Sequence, residues 1–412
     1  MPRFVMAIDG SYHESEINEQ LPSTRIGFVK VGCILVDMGT FASLKVLEGR
    51  YVDPFRVAEL QENNSALTFA LPSANVRWGN RQDVRTSFRA ALDAHLYGPI
   101  TRFVESDPKT SLRTTLFHLA SRRPKEIGTG NDSVLKLHKC PECEKGPIEV
   151  RDIPDPQFCP HCHGEIYPSD CLRIWEEVSE YQSNVVALSR SMLAIEHMMP
   201  VHYIRYLAQH SFGALGATTF FVDGPLAVFG TPAWLHAALM RYLSEINTLL
   251  MSRKLPQMIM IGLQKTGQVV DHVRLIDRFL PANRIYAVDD DYRYQHILMG
   301  RDPAHNGFGF ETYYGQDFIY KTESERTFVF ALPYPFASKE SGKDFIRNKT
   351  NLSLYPQLSR ALALIHNFES DLYENAVVPI ALAHRYTSIS LVPGGKVLDI
   401  MMRQAFQEAL AP

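Results

Sequence analysis

A carboxylate interrupts an apolar, strand-like run near the middle of the chain, at Asp223 within residues 220–230. An acid in such a run costs several kcal/mol to bury unless a cation or hydrogen-bond donors contact it. Asp-Gly-Pro after the run predicts a strand that ends in a sharp turn, with Asp223 at a sheet edge. Residues 4–11 repeat the pattern, with Asp9 before Gly10. The pair favours a divalent-metal site completed by a third carboxylate, although either aspartate alone could belong to a hairpin turn.

Length and charge limit the classes of protein to which the chain can belong. Its 412 residues predict one large domain with insertions, or two domains. With 42 Lys and Arg against 45 Asp and Glu, the net charge is −3, so nucleic acid would need a local groove or a partner's help. The apolar runs are far shorter than the ~18–20 residues of a membrane span. The N-terminal run contains an acid, so we expect a cytoplasmic protein without a signal peptide or a membrane partner.

Four of the six cysteines form two Cys-Pro-x-Cys pairs separated by 15 residues. This spacing is typical of a zinc ribbon, in which four thiolates form a closed tetrahedral site that does no chemistry. His161 and His163 are competing ligands, but the four thiolates already fill the coordination shell. A structural or protein-docking role is favoured over DNA reading. The predicted Zn²⁺ ligands are Cys140, Cys143, Cys159 and Cys162.

The first part of the chain predicts strands followed by helices. Residues 3–9, 26–37 and 42–52 have β-type composition, and their short connections favour an antiparallel meander. A helical pattern then covers residues 54–123. Within it, residues 85–97 form an amphipathic helix whose arginines are expected on a solvated face, with contact to backbone phosphates as the alternative.

The third carboxylate is sought on the helix predicted over residues 169–199. Pro200 cannot donate to the carbonyl of Glu196, so the helix is expected to kink or end just after that residue. A glutamate on an apolar stretch beside a kink is the candidate ligand, and the alternative is a surface glutamate paired with a cation. Glu177 and Glu180 are the substitutes.

The segment after Asp223 predicts a βαβ unit, with a helix over 232–243 and a strand over 257–263. Lys265 then falls at the same sheet edge as Asp223, which is where open α/β sheets bind ligands.

The C-terminal third carries six further expectations. The acids at 289–291 are expected at an exposed helix entry, and residues 318–332 form a hairpin. The basic stretch 338–350 is expected to be a mobile loop able to touch phosphates. The remaining segments are a helix over 358–373, an apolar stretch over 377–384 that ends on His384, and a last helix over about 396–409.

The order of these motifs, from Asp9-Gly10 through Glu196, Asp223-Gly224-Pro225, Lys265 and His384, resembles the NurA nuclease family. It is most similar to bacterial members with a zinc ribbon that runs into a Tyr-Pro-Ser-Asp segment, here residues 167–170. The resemblance implies an α/β, RNase H-like mixed sheet flanked by helices, with an inserted zinc ribbon.

By this resemblance, Asp9, Asp223 and Glu196 match carboxylate ligands of Mn²⁺ or Mg²⁺, and His384 matches a catalytic histidine. Tyr373 is the nearest substitute for a tyrosine that archaeal members place before this histidine. The implied partners are DNA, a hexameric HerA-type ATPase and a second copy of the chain in a homodimer.

The function expected from the sequence is a metal-dependent DNA nuclease, acting as an exonuclease or on single strands, in DNA end processing or anti-phage defence. Lys265 would offset charge on the phosphate. Two alternatives are a non-catalytic RNase H-like adaptor that docks a translocase and a zinc-ribbon nucleic-acid binder. The expected division is 1–130 and 171–412 for the nuclease core and 131–170 for the ribbon.

Overall fold

The computed structural model describes residues 1–18, 21–46, 51–52, 56, 60, 64–124, 127–370 and 376–389. The strands are β1 Phe4–Asn18, β2 Leu21–Asp37, β3 Lys45–Val46, β4 Tyr51–Val52, β5 Asn64–Pro72, β6 Val134–Leu137, β7 Ile148–Arg151, β8 Gln157–Phe158, β9 Glu165–Ile166, β10 Thr218–Asp223, β11 Ile259–Gln264, β12 Arg284–Ala287, β13 Gly315–Lys321 and β14 Thr327–Pro333. The helices are α1 Met38–Ser43, α2 Val84–Tyr97, α3 Leu112–Ala120, α4 Val185–His210, α5 Phe212–Gly216, α6 Leu235–Ser252, α7 Gln268–Ile276, α8 Asp290–Tyr292, α9 Gly342–Lys349, α10 Leu358–Phe368 and α11 Val378–Thr387.

A mixed eight-stranded sheet is the centre of the fold, in the order β12-β13-β14-β11-β10-β1-β2-β5. The pairs β1–β10 and β10–β11 are parallel, and the other neighbours are antiparallel. The predicted βαβ unit is confirmed, because α6 connects the parallel strands β10 and β11. The predicted hairpin is also confirmed and consists of β13 and β14.

Both faces of the sheet are buried, as the alternation of side chains along a strand requires. In β1, Met6 and Ile8 pack into the core that contains α2, α3, α4 and α6. Val5 and Ala7 face the opposite core, which contains α10 and α11. Each residue of β1 is thereby assigned to one of two helical layers, and the predicted α/β fold with a mixed sheet flanked by helices is confirmed.

The N-terminal meander differs from the prediction in its third strand. The described residues of the 42–52 segment do not join the main sheet: α1 occupies Met38–Ser43, and β3 and β4 form a separate two-stranded sheet. Asp37 starts α1 by accepting hydrogen bonds from the amides of Gly39 and Thr40, at 2.9 and 3.0 Å. The third strand is β5, which lies within the stretch predicted as helical. Its alternating buried residues have the period of a strand.

The expected break after Glu196 is wrong, because α4 continues through Pro200 to His210. Proline removes one hydrogen bond from the helix. Buried residues on both sides of Pro200 hold α4 against the sheet and against α3. The expected start at 169 is also wrong, since two 3₁₀ turns, Pro168–Leu172 and Ile174–Glu177, precede α4.

The basic segment 338–350 and the acidic segment 289–291 are both more buried than expected. Residues 338–350 contain α9 rather than only a loop, and Lys349 forms a buried ion pair with Asp290 at 2.5 Å. Lys339 donates to three backbone carbonyls, including that of Phe310 at 2.7 Å. Only part of the 289–291 segment is therefore an exposed helix entry: Asp289 caps α8, whereas Asp290 is buried.

The four-cysteine unit is fixed to the core through α2 and α3. Arg89 on α2, expected on a solvated face, is buried and binds both carboxylate oxygens of Asp170 at 2.8 Å. Arg113 on α3 contacts Asp93 at 3.1 Å and Asp152 at 3.0 Å. A buried guanidinium needs a carboxylate partner, and two of these partners, Asp152 and Asp170, belong to the cysteine unit, whereas Asp93 lies on α2.

Candidate metal centre

Sheet pairing brings Asp9 and Asp223 together. The last paired residues of the parallel strands β1 and β10 are Ile8 and Val222, so the two aspartates follow side by side. Asp223 ends its strand as predicted, but Asp9 lies in the middle of β1, because β1 continues in its hairpin with β2 to Asn18. Ligand atoms of Asp9, Asp223 and His384 all lie within 4.8 Å of one another.

Helix α11 supplies two hydrogen-bond partners to Asp9. His384 Nδ1 lies 3.0 Å from Asp9 Oδ2, and Thr387 Oγ1 donates to the same oxygen at 2.6 Å. The helix approaches this closely because Gly32, which pairs with Asp9, has no side chain. A Cβ at Gly32 would lie 2.5 Å from Thr387 Cγ2. The glycine on β2 therefore permits the contacts to the carboxylate on β1.

The C-terminal end of α11 is held by the β1–β2 hairpin. Ser11 Oγ donates to the carbonyl of Thr387 at 2.6 Å, and Lys30 Nζ donates to the carbonyl of Tyr386 at 2.7 Å. These carbonyls have no partner within the helix, so the two side chains satisfy them. The hairpin thus fixes the position of His384 relative to Asp9.

The two aspartates have opposite pKa shifts. Burial alone would raise the pKa of Asp9, but hydrogen bonds from His384 and Thr387 hold it below its ordinary value. For Asp223, burial and the neighbouring charge of Asp9 raise the pKa to about 7. The hydrogen bond to Asp9 raises the pKa of His384. Asp9 is thus held in its ionised form, whereas the ionisation of Asp223 is disfavoured by the negative charge already present on Asp9.

Lys265 lies at the sheet edge where the sequence places it. It follows β11, the parallel neighbour of β10, and its Nζ forms an ion pair with Asp223 Oδ2 at 2.7 Å. Both side chains are about one-fifth exposed, at 19% each. The ammonium therefore opposes the rise in the pKa of Asp223, and its Nζ is itself buried although part of the side chain is exposed.

Glu196 reaches the same region from α4, on the other face of the sheet. It is buried, and its pKa is raised well above the ordinary value by burial and by the charges of Asp9 and Asp223. The backbone N–H of Gly10 faces its carboxylate. A Cβ at Gly10 would lie 2.5 Å from Met192 Sδ, so this glycine permits the approach of α4.

The substitute Glu180 has a different partner. Glu180 Oε2 accepts the backbone N–H of Val84 at 2.7 Å at the start of α2, away from the aspartates. Beside Glu196, His197 Nδ1 contacts the Tyr314 hydroxyl at 2.6 Å, and the charge of Glu196 raises the pKa of Tyr314 further above the level set by burial.

The donor set fits a hard divalent cation. Asp9 and Asp223 converge with His384, whereas Glu196 lies outside that 4.8 Å group but close enough for the two aspartates to raise its pKa. The pKa of Asp223 is likewise raised by the charge of Asp9. A cation bound between them would relieve this repulsion. Carboxylate oxygens are the ligands preferred by Mg²⁺ and Mn²⁺.

Comparison with known proteins gives one family. The NurA domain family matches residues 4–389. This chain belongs to the NurA family. A crystal structure titled "Crystal structure of NurA" is 12% identical, with alignment over 100% of this chain and 89% of that chain at a TM-score of 0.28. Among curated proteins no sequence matches. The family predicted from the motifs is thereby confirmed.

Four cysteines of the chain form a second site, and its geometry fits zinc binding. Cys140 and Cys162 Sγ atoms are 3.7 Å apart, as are those of Cys143 and Cys159. A tetrahedron with Zn–S bonds of about 2.3 Å has S–S edges of ~3.8 Å, whereas a disulfide requires about 2.05 Å. The cluster fits Zn²⁺, and it includes neither His161 nor His163, which are exposed.

Sequence reasoning missed the residues that position the site. Thr387 stands three residues after His384 on α11, and this helical spacing was the available signal. Nothing in the sequence indicated that α4 and α11 would approach the sheet closely at Gly10 and Gly32. Tyr373 and the expected helix 396–409 lie outside the described residues. In the described part of the chain, no helix has the length and apolar character to span a membrane.

Proposed function

We propose that this NurA-family protein is a divalent-metal-dependent deoxyribonuclease that hydrolyses phosphodiester bonds at Asp9, Asp223 and Glu196. One observation carries the proposal: two parallel strands and helix α11 bring Asp9, Asp223 and His384 within 4.8 Å of one another, beside Lys265 and close enough to buried Glu196 for the aspartates to raise its pKa. A protein that needed only a stable core would not gain from three mutually repelling acids.

The residues have separable roles in this chemistry. Bound Mn²⁺ or Mg²⁺ would neutralise phosphate charge and lower the pKa of an attacking water. Thr387 and His384 keep Asp9 ionised and correctly oriented for a cation. Lys265 stands beside Asp223, where its ammonium offsets charge developing on the phosphate. His384 is half-exposed and uses Nδ1 for Asp9, so its Nε2 is available to orient the phosphate or move a proton.

The partners proposed are DNA, a HerA-type hexameric ATPase and a second copy of the chain in a homodimer. Membership of the NurA family and the net charge of the chain both support these partners. With a net charge of −3, the chain has no overall positive field to attract DNA, so a translocase that feeds the strand to the site would raise its effective affinity. The biological settings proposed are DNA end processing and anti-phage defence.

The cysteine unit, placed at 131–170 between core segments 1–130 and 171–412, is proposed to be a structural Zn²⁺ module. Its buried ion pairs with α2 and α3 support this role over DNA reading.

Cleavage of end-labelled linear DNA tests the proposal. Single- and double-stranded substrates are incubated with EDTA, Mg²⁺ or Mn²⁺, each with and without a HerA-type ATPase. We expect degradation only with a divalent ion. Absence of cleavage under every condition, with ATPase binding intact, would replace the nuclease with the non-catalytic adaptor.

A further inference from the structure

An arginine near the candidate metal centre has no partner among the described residues. Arg190, on α4, has a buried Nε without a hydrogen bond, and its guanidinium contacts no acid in the described ranges. The side chain is only partly buried, so its terminal nitrogens remain open to solvent. Arginine is always charged, and an unpaired, partly buried guanidinium is costly unless an anion binds it.

The first turns of α4 project beyond the carboxylates. Met192 packs on Gly10, next to Asp9, whereas Leu188, one turn earlier, packs on Gly27 further out along the β1–β2 hairpin. The helix therefore runs antiparallel to β1. Its N-terminal part lies on the open side of the sheet edge at which β10 ends.

Arg190 lies in this projecting part, against the loop that follows Asp223. A Cβ at Gly230 would lie 2.3 Å from Arg190 Nε, and Gly230 has a φ of +78°, a backbone conformation that favours glycine. The loop connects β10, which ends at Asp223, to α6, so Arg190 lies against the segment that leaves the strand-end aspartate.

The loop also offers unused hydrogen-bond donors. In the described part of the chain, the backbone amides of residues 229–231 form no hydrogen bond. Thr231 Oγ1 is buried and likewise has no partner there. Successive free amides beside a guanidinium are the donors that a phosphate group accepts from.

We propose that Arg190 and the loop 229–231 bind a backbone phosphate of the strand whose scissile phosphate lies at the carboxylates. This subsite rests on the proposed function. Arg190 precedes Glu196 by six residues, or about 9 Å along a helix. That distance equals roughly two or three nucleotide steps of a stacked strand. The subsite fixes the register of the strand without reading its bases.

Binding is measured first, because it is independent of cleavage. A labelled single-stranded oligonucleotide is titrated with protein at several salt concentrations, with Ca²⁺ in place of Mg²⁺ or Mn²⁺. We expect Arg190→Gln to weaken binding about tenfold and to reduce the slope of log K against log salt by about 0.7, the value for one phosphate of a single strand. The matched control is Arg253→Gln, an exposed arginine just after α6 and therefore at the opposite end of β10. An unchanged slope in Arg190→Gln, or an equal loss in Arg253→Gln, would overturn the subsite.

Cleavage then locates the phosphate. A series of oligonucleotides is prepared, each with one uncharged methylphosphonate linkage at a different position, and each is cleaved in the presence of Mn²⁺. We expect one position, displaced from the cleaved bond, to slow the wild-type enzyme about tenfold and to leave Arg190→Gln unaffected. Arg190→Lys, which keeps the charge, is expected to regain part of this sensitivity, which a merely structural role would not produce. Equal sensitivity in wild type and Arg190→Gln would contradict the proposal. DNA binding with the predicted salt slope but no cleavage would instead contradict the nuclease and leave the subsite standing.

Discussion

At the scale of single residues, the site is built from groups whose charge is set by their neighbours. Asp9 receives two hydrogen bonds on one oxygen, whereas Asp223 and Glu196 receive the repulsion of the other acids. The chain tolerates this repulsion only because it is confined to one edge of a well-packed sheet. Activity and stability should therefore respond in opposite ways to the loss of a carboxylate.

Replacing Glu196 with glutamine tests this opposition. We expect Mn²⁺ to raise the melting temperature of the wild type, since a ligand at about 100 times its dissociation constant adds about 2.7 kcal/mol. Glu196→Gln should lose most of that increase and be at least as stable as wild type without metal, because a buried repelling charge is gone.

The matched control is Glu180→Gln, a glutamate near the start of α2 that takes no part in the site. It should keep the full Mn²⁺ response. An undiminished response in Glu196→Gln would remove this residue from the metal site.

The buried ring of His202 predicts that the folded protein loses stability at acid pH, independently of metal binding. Its Nε2 donates to the Thr101 carbonyl at 2.9 Å and its Nδ1 accepts from Thr115 at 2.8 Å, which suits the neutral ring. Burial lowers its pKa to about 3. The unfolded chain, with an ordinary value near 6.5, therefore binds the proton first as the pH falls. The stability supplied by neutral His202 is complete above about pH 6.5 and is lost progressively towards pH 3.

Urea denaturation of wild type and His202→Gln measures this loss. The stability advantage of the wild type should shrink by about 2 kcal/mol between about pH 7 and about pH 5, since each unit corresponds to about 1.36 kcal/mol. A constant difference would show that the folded protein protonates His202 as readily as the unfolded chain does, so that its pKa is not lowered.

At the scale of elements, two helices and two glycines decide the geometry. Helix α11 passes over Gly32 on one face and α4 over Gly10 on the other, so both reach the carboxylates through gaps in the side-chain layer. The parallel pairing of β10 with β11 was predicted from the βαβ unit. The length of β1 was not predicted, because Asp9-Gly10 was interpreted as the end of a strand, whereas β1 continues to Asn18.

Helix α2 shows the same limit on prediction. The spacing of its apolar residues correctly indicates a helix, but its arginines were expected in solvent. Arg89 is instead buried against Asp170, which lies 81 positions further along the chain. A partner at that separation depends on tertiary packing, which local periodicity does not contain.

Breaking this ion pair tests the attachment of the cysteine unit. Arg89→Gln leaves the Asp170 carboxylate buried and unpaired, so we expect a loss of about 3–5 kcal/mol in the free energy of unfolding. Arg89→Gln combined with Asp170→Asn should recover part of that loss, and the zinc content of both proteins should equal that of wild type. A loss below about 1 kcal/mol in the single variant would show that the contact does not hold the unit in place.

At the scale of the whole molecule, one sheet joins the parts that the sequence shows separately. The strands near the N-terminus, the βαβ unit and the C-terminal hairpin all belong to the eight-stranded sheet. The candidate site lies at one edge of this sheet and combines residues from distant parts of the chain. Asp9 and His384, which are in contact, are 375 positions apart in the sequence. Between them in the sequence lie Glu196, Asp223 and Lys265. Their order and spacing in the sequence predicted the family and the converging acids. The Arg190 subsite was not predictable, because it depends on a loop conformation at Gly230.

The most direct test compares Asp223→Asn with wild type in Mn²⁺-dependent cleavage of linear DNA. The matched control is Asp291→Asn, an exposed acid outside the site that undergoes the same change. We predict a loss of at least about 10³-fold in the Asp223 variant, equal to ~4 kcal/mol of transition-state stabilisation, with unchanged folding and an unaffected control. Cleavage by Asp223→Asn at the wild-type rate would contradict the assignment of the metal centre.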